Sequence, residues 1–383
     1  VTLFVSRTRT TRRLLPAVGV AAAAALLLAG CGSDPAPAGD AAPAASGTAA
    51  GDVACPAGTL NAEGSSAQAN AISEVIANYN AACGDKATIE YNPTGSGAGI
   101  KSFYNNLVDF AGSDSALKTE AVDGVVEADK AATRCGGNPA WNLPMVVGPV
   151  AFAYNVDGVD KLVLTPEVLA KIFTGKILTW NDPAIAALNS GATLPSAKIS
   201  VFFRSDESGT TENVGKFLKA AGKGAWTSEP AKSWAGVGEG KNKSSGVAEG
   251  VTGTKNSISY MEWSYAKDNK LAIAQVDNGN GATELTAENV AKAVSEATVA
   301  GSGNDLKLTL KYSGTAAGAY PALLVTYEVV CSKGLAADKV ALEKDFLGYM
   351  ASAETQSSLE DLGYAPLPAD LQTKVQAAVK AIS

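Results

Sequence analysis

Residues 143–155 read LPMVVGPVAFAYN, a run without one charged side chain. An apolar stretch that does not alternate suits a strand buried on both faces, as in a sheet covered by helices. Working outward, Ala87–Asn92 and Val108–Gly112 read as strands before it, Ile199–Phe203 and Ala322–Val330 as strands after it. Helical patterns lie between them. Ile72, Val75, Ile76 and Tyr79 form a stripe within 69–82, Gly95–Gly99 reads as a tight turn, and Ile100–Leu107 reads as a helix. Further helices are expected from Ser115, over Gly209–Ala220, and where Leu342, Phe346 and Met350 keep helical spacing. The alternation predicts an α/β fold with parallel sheets, whose ligands sit at the carboxyl ends of strands beside helix N-termini.

The chain has 383 residues, 46% hydrophobic and 18% charged, enough apolar material for two cores. It contains no histidine, which removes Ser-His-Asp and Cys-His nucleophile pairs and the commonest zinc ligand. The formal charge is −7, so a nucleic-acid surface is not expected. Any anion must be held locally, against the sign of the whole chain.

Arg7, Arg9, Arg12 and Arg13 precede an apolar run from Ala17 to Ala29, the layout of a secretory signal over residues 1–30. The run ends in Leu28-Ala29-Gly30-Cys31, which resembles the bacterial lipobox and marks Cys31 for lipidation. Cleavage there would leave 27 basic against 38 acidic residues, a charge of −11. Residues 31–54 are the lipidated Cys and a flexible tether, since 32–52 contain no aromatic side chain to bury. This predicts an exported protein anchored by lipid at the outer face of the cell membrane. Cys55, Cys83, Cys135 and Cys331 remain, and four cysteines allow three disulfide pairings. Cys55 precedes the first predicted strand and Cys83 follows the first helix, which brings both to one sheet edge and favours Cys55–Cys83 with Cys135–Cys331. Neither histidine nor CxxC spacing is present to argue for a metal.

Four polar turns fall between an extended stretch and an expected helix: GSSA at 64–67, TGSGAG at 94–99, GSDS at 112–115 and RSDESGTT at 204–211. Helix N-termini carry unpaired N–H groups and partial positive charge, which suits an anion. The second turn is neither a P-loop nor a dinucleotide fingerprint, because Ile100 stands where each pattern needs another residue. Each residue also has a plainer reading. Asp114 would cap the helix from Ser115, Arg204 would pair with Asp206 or Glu207 at the surface, and Ser96, Ser208 and Thr210 would be turn caps. Lys241–Gly246 reads as a solvated loop without a ligand, and Trp180 as structural.

Beyond the tether, the chain resembles the PstS family, the phosphate-binding proteins of bacterial phosphate ABC transporters. The carriers are the second and fourth turns, VDFAGSD at 108–114, KIFTGKILTWNDPAI at 171–185 and YAPLP at 364–368. The resemblance implies a type II periplasmic binding-protein fold: two α/β lobes joined by a two-stranded hinge. Lobe one would take 55–148 plus 321–383 and lobe two 149–320, with crossovers at Gly148-Pro149 and Gly318–Pro321. It implies phosphate contacts from Ser66, Ala67, Ser96, Asp114, Arg204, Ser208, Gly209 and Thr210, supported by Asp206, Gly95, Gly97 and Ser113. The first turn departs most, with GSSAQ at 64–68 where many relatives have a Gly-Ala-Thr-Phe-like sequence.

An ionised Asp114 only accepts hydrogen bonds, so it would take the proton of phosphate and repel fully deprotonated sulfate. The expected protein is a monomer without cofactor, metal or enzyme activity that passes inorganic phosphate to permease subunits. The rivals are a binding protein for sulfate or molybdate, a phosphoester-processing enzyme, and a surface lipoprotein with no transporter.

Overall fold

The computed structural model describes residues 53–383; the signal segment, Cys31 and the tether to residue 52 lie outside the described residues. Eight strands form the main path of a nine-stranded sheet: β1 (Gly58–Gly64), β2 (Ala87–Asn92), β3 (Phe110–Ser113), β4 (Ala140–Asn155), β5 (Ser200–Arg204), β6 (Glu239–Lys241), β7 (Ser257–Glu262) and β8 (Leu323–Cys331). Their order is β2-β1-β3-β8-β4-β7-β5-β6, with the short strand Ala272–Ile273 pairing alongside β4. The helices nearest the site are α1 (Ala69–Cys83), α2 (Ser96–Tyr104), α3 (Glu127–Arg134), α4 (Gly209–Ala221) and α5 (Lys243–Gly253), and α6 (Ala337–Met350) packs behind them.

The expectation of parallel sheets holds only in the two outer wings. β2, β1 and β3 are parallel, as are β7, β5 and β6, but every pairing made by β8 or β4 with a neighbour in this order is antiparallel. The reason lies in the apolar run read first. β4 is 16 residues long and changes partner midway: 140–149 pair with β8, while 150–155 pair with β7. A strand shared by both wings carries the chain out of one and into the other, and β8 brings it back in the opposite sense. Residues 142–154 of β4 and all of β8 are buried, as the unbroken apolar pattern requires.

Two helices start elsewhere than expected. α2 begins at Ser96, so the glycine-rich turn is its first turn rather than a loop before Ile100. No helix follows Ser115; residues 115–126 are irregular and α3 begins at Glu127. The backbone N–H of Ser115 turns back onto the Ser113 hydroxyl (3.2 Å), and that local bond competes with a helical start. The α1 stripe packs as read, with Ile72, Val75 and Tyr79 buried, and the Tyr79 ring meets Phe346 of α6 edge-on at 5.4 Å. Trp180 is fully buried and donates its indole N–H to the Asn256 carbonyl (3.1 Å), while Asp182 caps the short helix after it. Among the described residues no helix is long and apolar enough to cross a membrane.

Cys55–Cys83 and Cys135–Cys331 are disulfide-bonded, with sequence separations of 28 and 196. In the chain-entropy picture these closures are worth about 3–4 and about 5 kcal/mol respectively. Replacing Cys135 and Cys331 together by Ala should therefore lower the urea midpoint more than replacing Cys55 and Cys83. Equal midpoints for the two double variants would contradict that account.

Candidate functional site

Five strands of the two wings end at one place. β1, β2, β3, β5 and β6 deliver Ser65-Ser66, Ser96, Asp114, Arg204 and Ser244 from their carboxyl ends. Four of these strands lead into helices, so N-terminal turns of α1, α2, α4 and α5 converge there. The turns touch directly. Gly95 has φ +102°, a conformation that L side chains rarely adopt. Gly97 donates its N–H to the Glu207 carbonyl (3.0 Å), and a Cβ there would lie 2.5 Å from Glu207 Cβ. A Cβ on Gly209 would sit 2.6 Å from both Asp114 Cβ and Ser96 Oγ, so glycine allows α4 to close against the Asp114 loop.

Asp114 is buried and accepts three hydroxyl hydrogen bonds: from Ser65 (2.5 Å) and Thr326 (2.8 Å) on Oδ1, and from Ser96 (3.1 Å) on Oδ2. A carboxylate has about four acceptor positions, so capacity remains on Oδ2. Burial pushes its pKa up to about 6, helped by the Glu262 charge and opposed by the Ser65 and Thr326 hydroxyls and by Arg204. Asp114 does not cap a helix.

Arg204 is 2% exposed. Its Nε and Nη2 donate to the two oxygens of Asp206 (2.7 and 2.5 Å), and Nη1 donates to the hydroxyls of Ser244 (3.0 Å) and Thr210 (3.3 Å). Burial alone would lower the guanidinium pKa, but the Asp206 bonds and charge, with Glu262, raise it above the ordinary value. Burial would raise Asp206, and the Arg204 contact holds it below the ordinary carboxylate value. This is a buried pair rather than the surface ion pair of the plainer reading. The Thr210 hydroxyl donates a hydrogen bond to Glu262 Oε1 (2.6 Å), and Ser66 and Ser244 share a hydrogen bond of 3.0 Å.

Ser66, Ser96, Asp114, Arg204, Gly209, Thr210 and Asp206 thus form one connected cluster with Gly95 and Gly97 at its seam. The remaining residues singled out in the sequence are engaged in local turns. The Ala67 N–H meets Ser65 Oγ (3.0 Å), Ser208 Oγ caps α4 by accepting from the Thr211 N–H (3.1 Å), and Ser113 Oγ donates to the Ser115 carbonyl (2.6 Å). The Tyr364 hydroxyl, from YAPLP, props the first turn by donating to the Ala67 carbonyl (2.8 Å). Reading Lys241–Gly246 as a solvated loop was wrong for Ser244, which is fully buried and binds Arg204. The signal was available, since Ser244 sits in the first turn of a helix after a strand, like the other turns. Ser65, Thr326 and Glu262 lie inside strands or beside a chosen residue and carried no separate sequence signal.

Residues 42–354 match the family model described as a PBP superfamily domain. Phosphate-binding protein PstS 3 of Mycobacterium tuberculosis (strain ATCC 25618 / H37Rv) is 43% identical over 373 residues, covering 96% of this chain and 98% of that protein. The PstS 2 protein of the same strain is 41% identical over the same shares. Among solved structures, the periplasmic phosphate-binding protein PfluDING, bound with phosphate, superposes with TM-score 0.69 at 23% identity, covering 84% of this chain and 93% of that one. The fold is that of the type II periplasmic binding proteins, two α/β lobes with β4 and β8 between them. On the strength of the full-length relatives, the chain belongs to the PstS family of phosphate-binding proteins.

Proposed function

We propose that the chain captures inorganic phosphate between its two lobes and delivers it to the permease of a phosphate ABC transporter. The carrying observation is that a buried, charge-holding Arg204 and a buried Asp114 meet in one cluster of hydroxyls and helix N-termini. Lobe one, 55–148 plus 321–383, would contribute Ser66, Ala67, Ser96 and Asp114. Lobe two, 149–320, would contribute Arg204, Ser208, Gly209 and Thr210. The partner switch of β4 between Pro149 and Val150 supports the Gly148-Pro149 crossover.

The chemistry follows from the hydroxyl contacts. Among the described residues, Nη1 of Arg204 is bound only to Ser244 and Thr210, and hydroxyls can rotate to release a donor to an anion. An ionised Asp114 would accept the P–OH proton through Oδ2, whereas sulfate offers no proton there. Sites built on such a bond reject an analogue lacking it by as much as ~10⁴–10⁵. A ligand touching both lobes binds the closed state better than the open one, and the closed form is what a permease would recognise. No bond is made or broken in this scheme, so no enzyme activity is proposed. Cys31 would carry the lipid anchor at the outer face of the membrane, and the working unit would be a monomer.

Calorimetric titration with phosphate and with sulfate tests the reading directly; equal affinities would overturn it. Asp114→Asn should lower the phosphate-to-sulfate affinity ratio by more than it lowers phosphate affinity itself. Because Asp114 titrates near 6, its protonated form below that pH becomes a donor and can serve sulfate. The ratio should therefore be greatest above neutrality and fall as pH drops through about 6, measured by competition titration; a flat profile would remove Asp114 from the role. Gly209→Ala places a methyl group against Asp114 and Ser96 and should weaken phosphate binding by about fivefold or more, an overpacking penalty of about 1–3 kcal/mol.

A further inference from the structure

Two consecutive residues of α4, Glu212 and Asn213, reach across to the Asp114 loop, yet neither belongs to the cluster around Arg204. The Asn213 amide donates to the Asp114 backbone carbonyl (2.7 Å) and to the Gly209 carbonyl (2.9 Å) from the same nitrogen. Its own oxygen accepts from the Tyr312 hydroxyl (2.6 Å), which fixes the orientation of the amide. Glu212 accepts from Ser115 Oγ (2.9 Å) and from Lys118 Nζ (2.5 Å), both on the segment that follows Asp114. Lys216, one turn along α4, pairs with the same carboxylate at 2.9 Å. All four side chains nearest the loop, those of Asn213, Glu212, Tyr312 and Ser115, are buried. No helix follows Ser115; lobe one holds the loop at the Asp114 N–H (Ser96 Oγ, 3.1 Å) and the Leu117 N–H (Asn142 Oδ1, 2.9 Å), and the Asp114 carbonyl is left to Asn213.

We infer that Glu212 and Asn213 are positioning residues that clamp the Asp114 loop from the opposite lobe, so that Asp114 tests for a ligand proton only once the lobes have closed. The inference rests on the phosphate reading above. Its physical content is that lobe two supplies three hydrogen bonds to residues 114–118, and opening removes all three together. The carboxylate is held in place by lobe-one hydroxyls, and Ser96 Oγ also accepts from the Asp114 N–H (3.1 Å), whereas the Asp114 carbonyl is held from lobe two. Discrimination between phosphate and sulfate should then depend on residues that touch neither anion.

The test compares the full chain with Asn213→Ala, Tyr312→Phe and Lys101→Met, using stopped-flow dissociation and equilibrium competition with inorganic phosphate and sulfate. Lys101 pairs with Glu207 at 2.6 Å across the same seam but is half exposed and makes no contact with Asp114. Asn213→Ala should raise the phosphate dissociation rate and lower the phosphate-to-sulfate ratio, each by about tenfold, and Tyr312→Phe by about threefold, as expected for losing buried hydrogen bonds. Lys101→Met should leave the ratio unchanged, because an exposed pair contributes little and does not orient the carboxylate. Should Asn213→Ala fail to fold, Tyr312→Phe, which removes one oxygen, decides. An unchanged ratio in a folded Tyr312→Phe, or an equal loss of ratio in Lys101→Met, overturns the clamp. Failure of the unaltered chain to prefer phosphate over sulfate would instead overturn the reading on which the clamp rests.

Discussion

The site is organised around the need to satisfy a guanidinium that has almost no water near it. A buried charge without partners is strongly destabilising, and Arg204 meets that demand with a two-point contact to Asp206. Spending Nε and Nη2 on a fixed carboxylate leaves Nη1, whose partners are the hydroxyls of Ser244 and Thr210. Had a second carboxylate stood there, the arginine would be fully neutralised and locked. Hydroxyls satisfy the donor yet can surrender it, because each can rotate to donate elsewhere. Thr210 already does so towards Glu262. Around one guanidinium stand Asp206, Asp114 and Glu262, so the local charge does not attract an anion from a distance. In the proposed scheme, short-range donors placed at helix N-termini would have to carry its recognition.

Such donors work only when both wings present them together, and that constraint explains the sheet. β4 is shared between the wings and β8 runs back alongside it, so the wings are connected through paired central strands rather than a loose linker. In the proposed closure, rotation about those two strands would leave each parallel wing intact. What changes is the seam: Gly97 against Glu207, Gly209 against Asp114 and Ser96, Ser66 against Ser244. Exposed ion pairs such as Lys101–Glu207 lie along the same edge and add little each. In the proposed scheme closure would be governed by hydrogen bonds that form together, which would make it responsive to a small ligand contacting both sides.

Most of this was legible where sequence pattern and local geometry coincide. The run at 143–155 announced a doubly buried strand, and each Gly- and Ser-containing turn marked a strand end. The failures are equally physical. Parallel pairing was inferred from alternation alone, which does not register that a strand shared by two wings must be met antiparallel by the returning one. The helix from Ser115 was overridden by a side-chain-to-backbone turn within three residues. Ser244 was lost because its flanking lysines suggest solvent, whereas the chain buries the serine and exposes its neighbour Ser245. Thr326 is the least readable case. It is one of nine residues of a buried strand, it lies at the irregular register between Thr326 and Tyr327, and it donates to Asp114 from there.

The same central strand sets the charge behind the site. Glu328 of β8 pairs in register with Gly112, two residues before Asp114, and is fully buried. Were it ionised, it would place a second negative charge close to that of Asp114. Burial instead pushes Glu328 itself up to about 8, with the Asp114 charge adding to the shift and the neighbouring Gln68 amide opposing it. Gln68 has room there only because Gly112 lacks a side chain; a Cβ would lie 2.2 Å from its amide nitrogen. Glu343, also buried, is raised to about 8 by the same desolvation, against the nearby Arg134 charge. Both acids thus favour their neutral forms at pH 7, while Asp114, which titrates lower because the Ser65 and Thr326 hydroxyls and Arg204 favour its charge, is ionised. The depth that fits β8 to join two wings is also what keeps its own carboxyl from competing with the one beside Ser96.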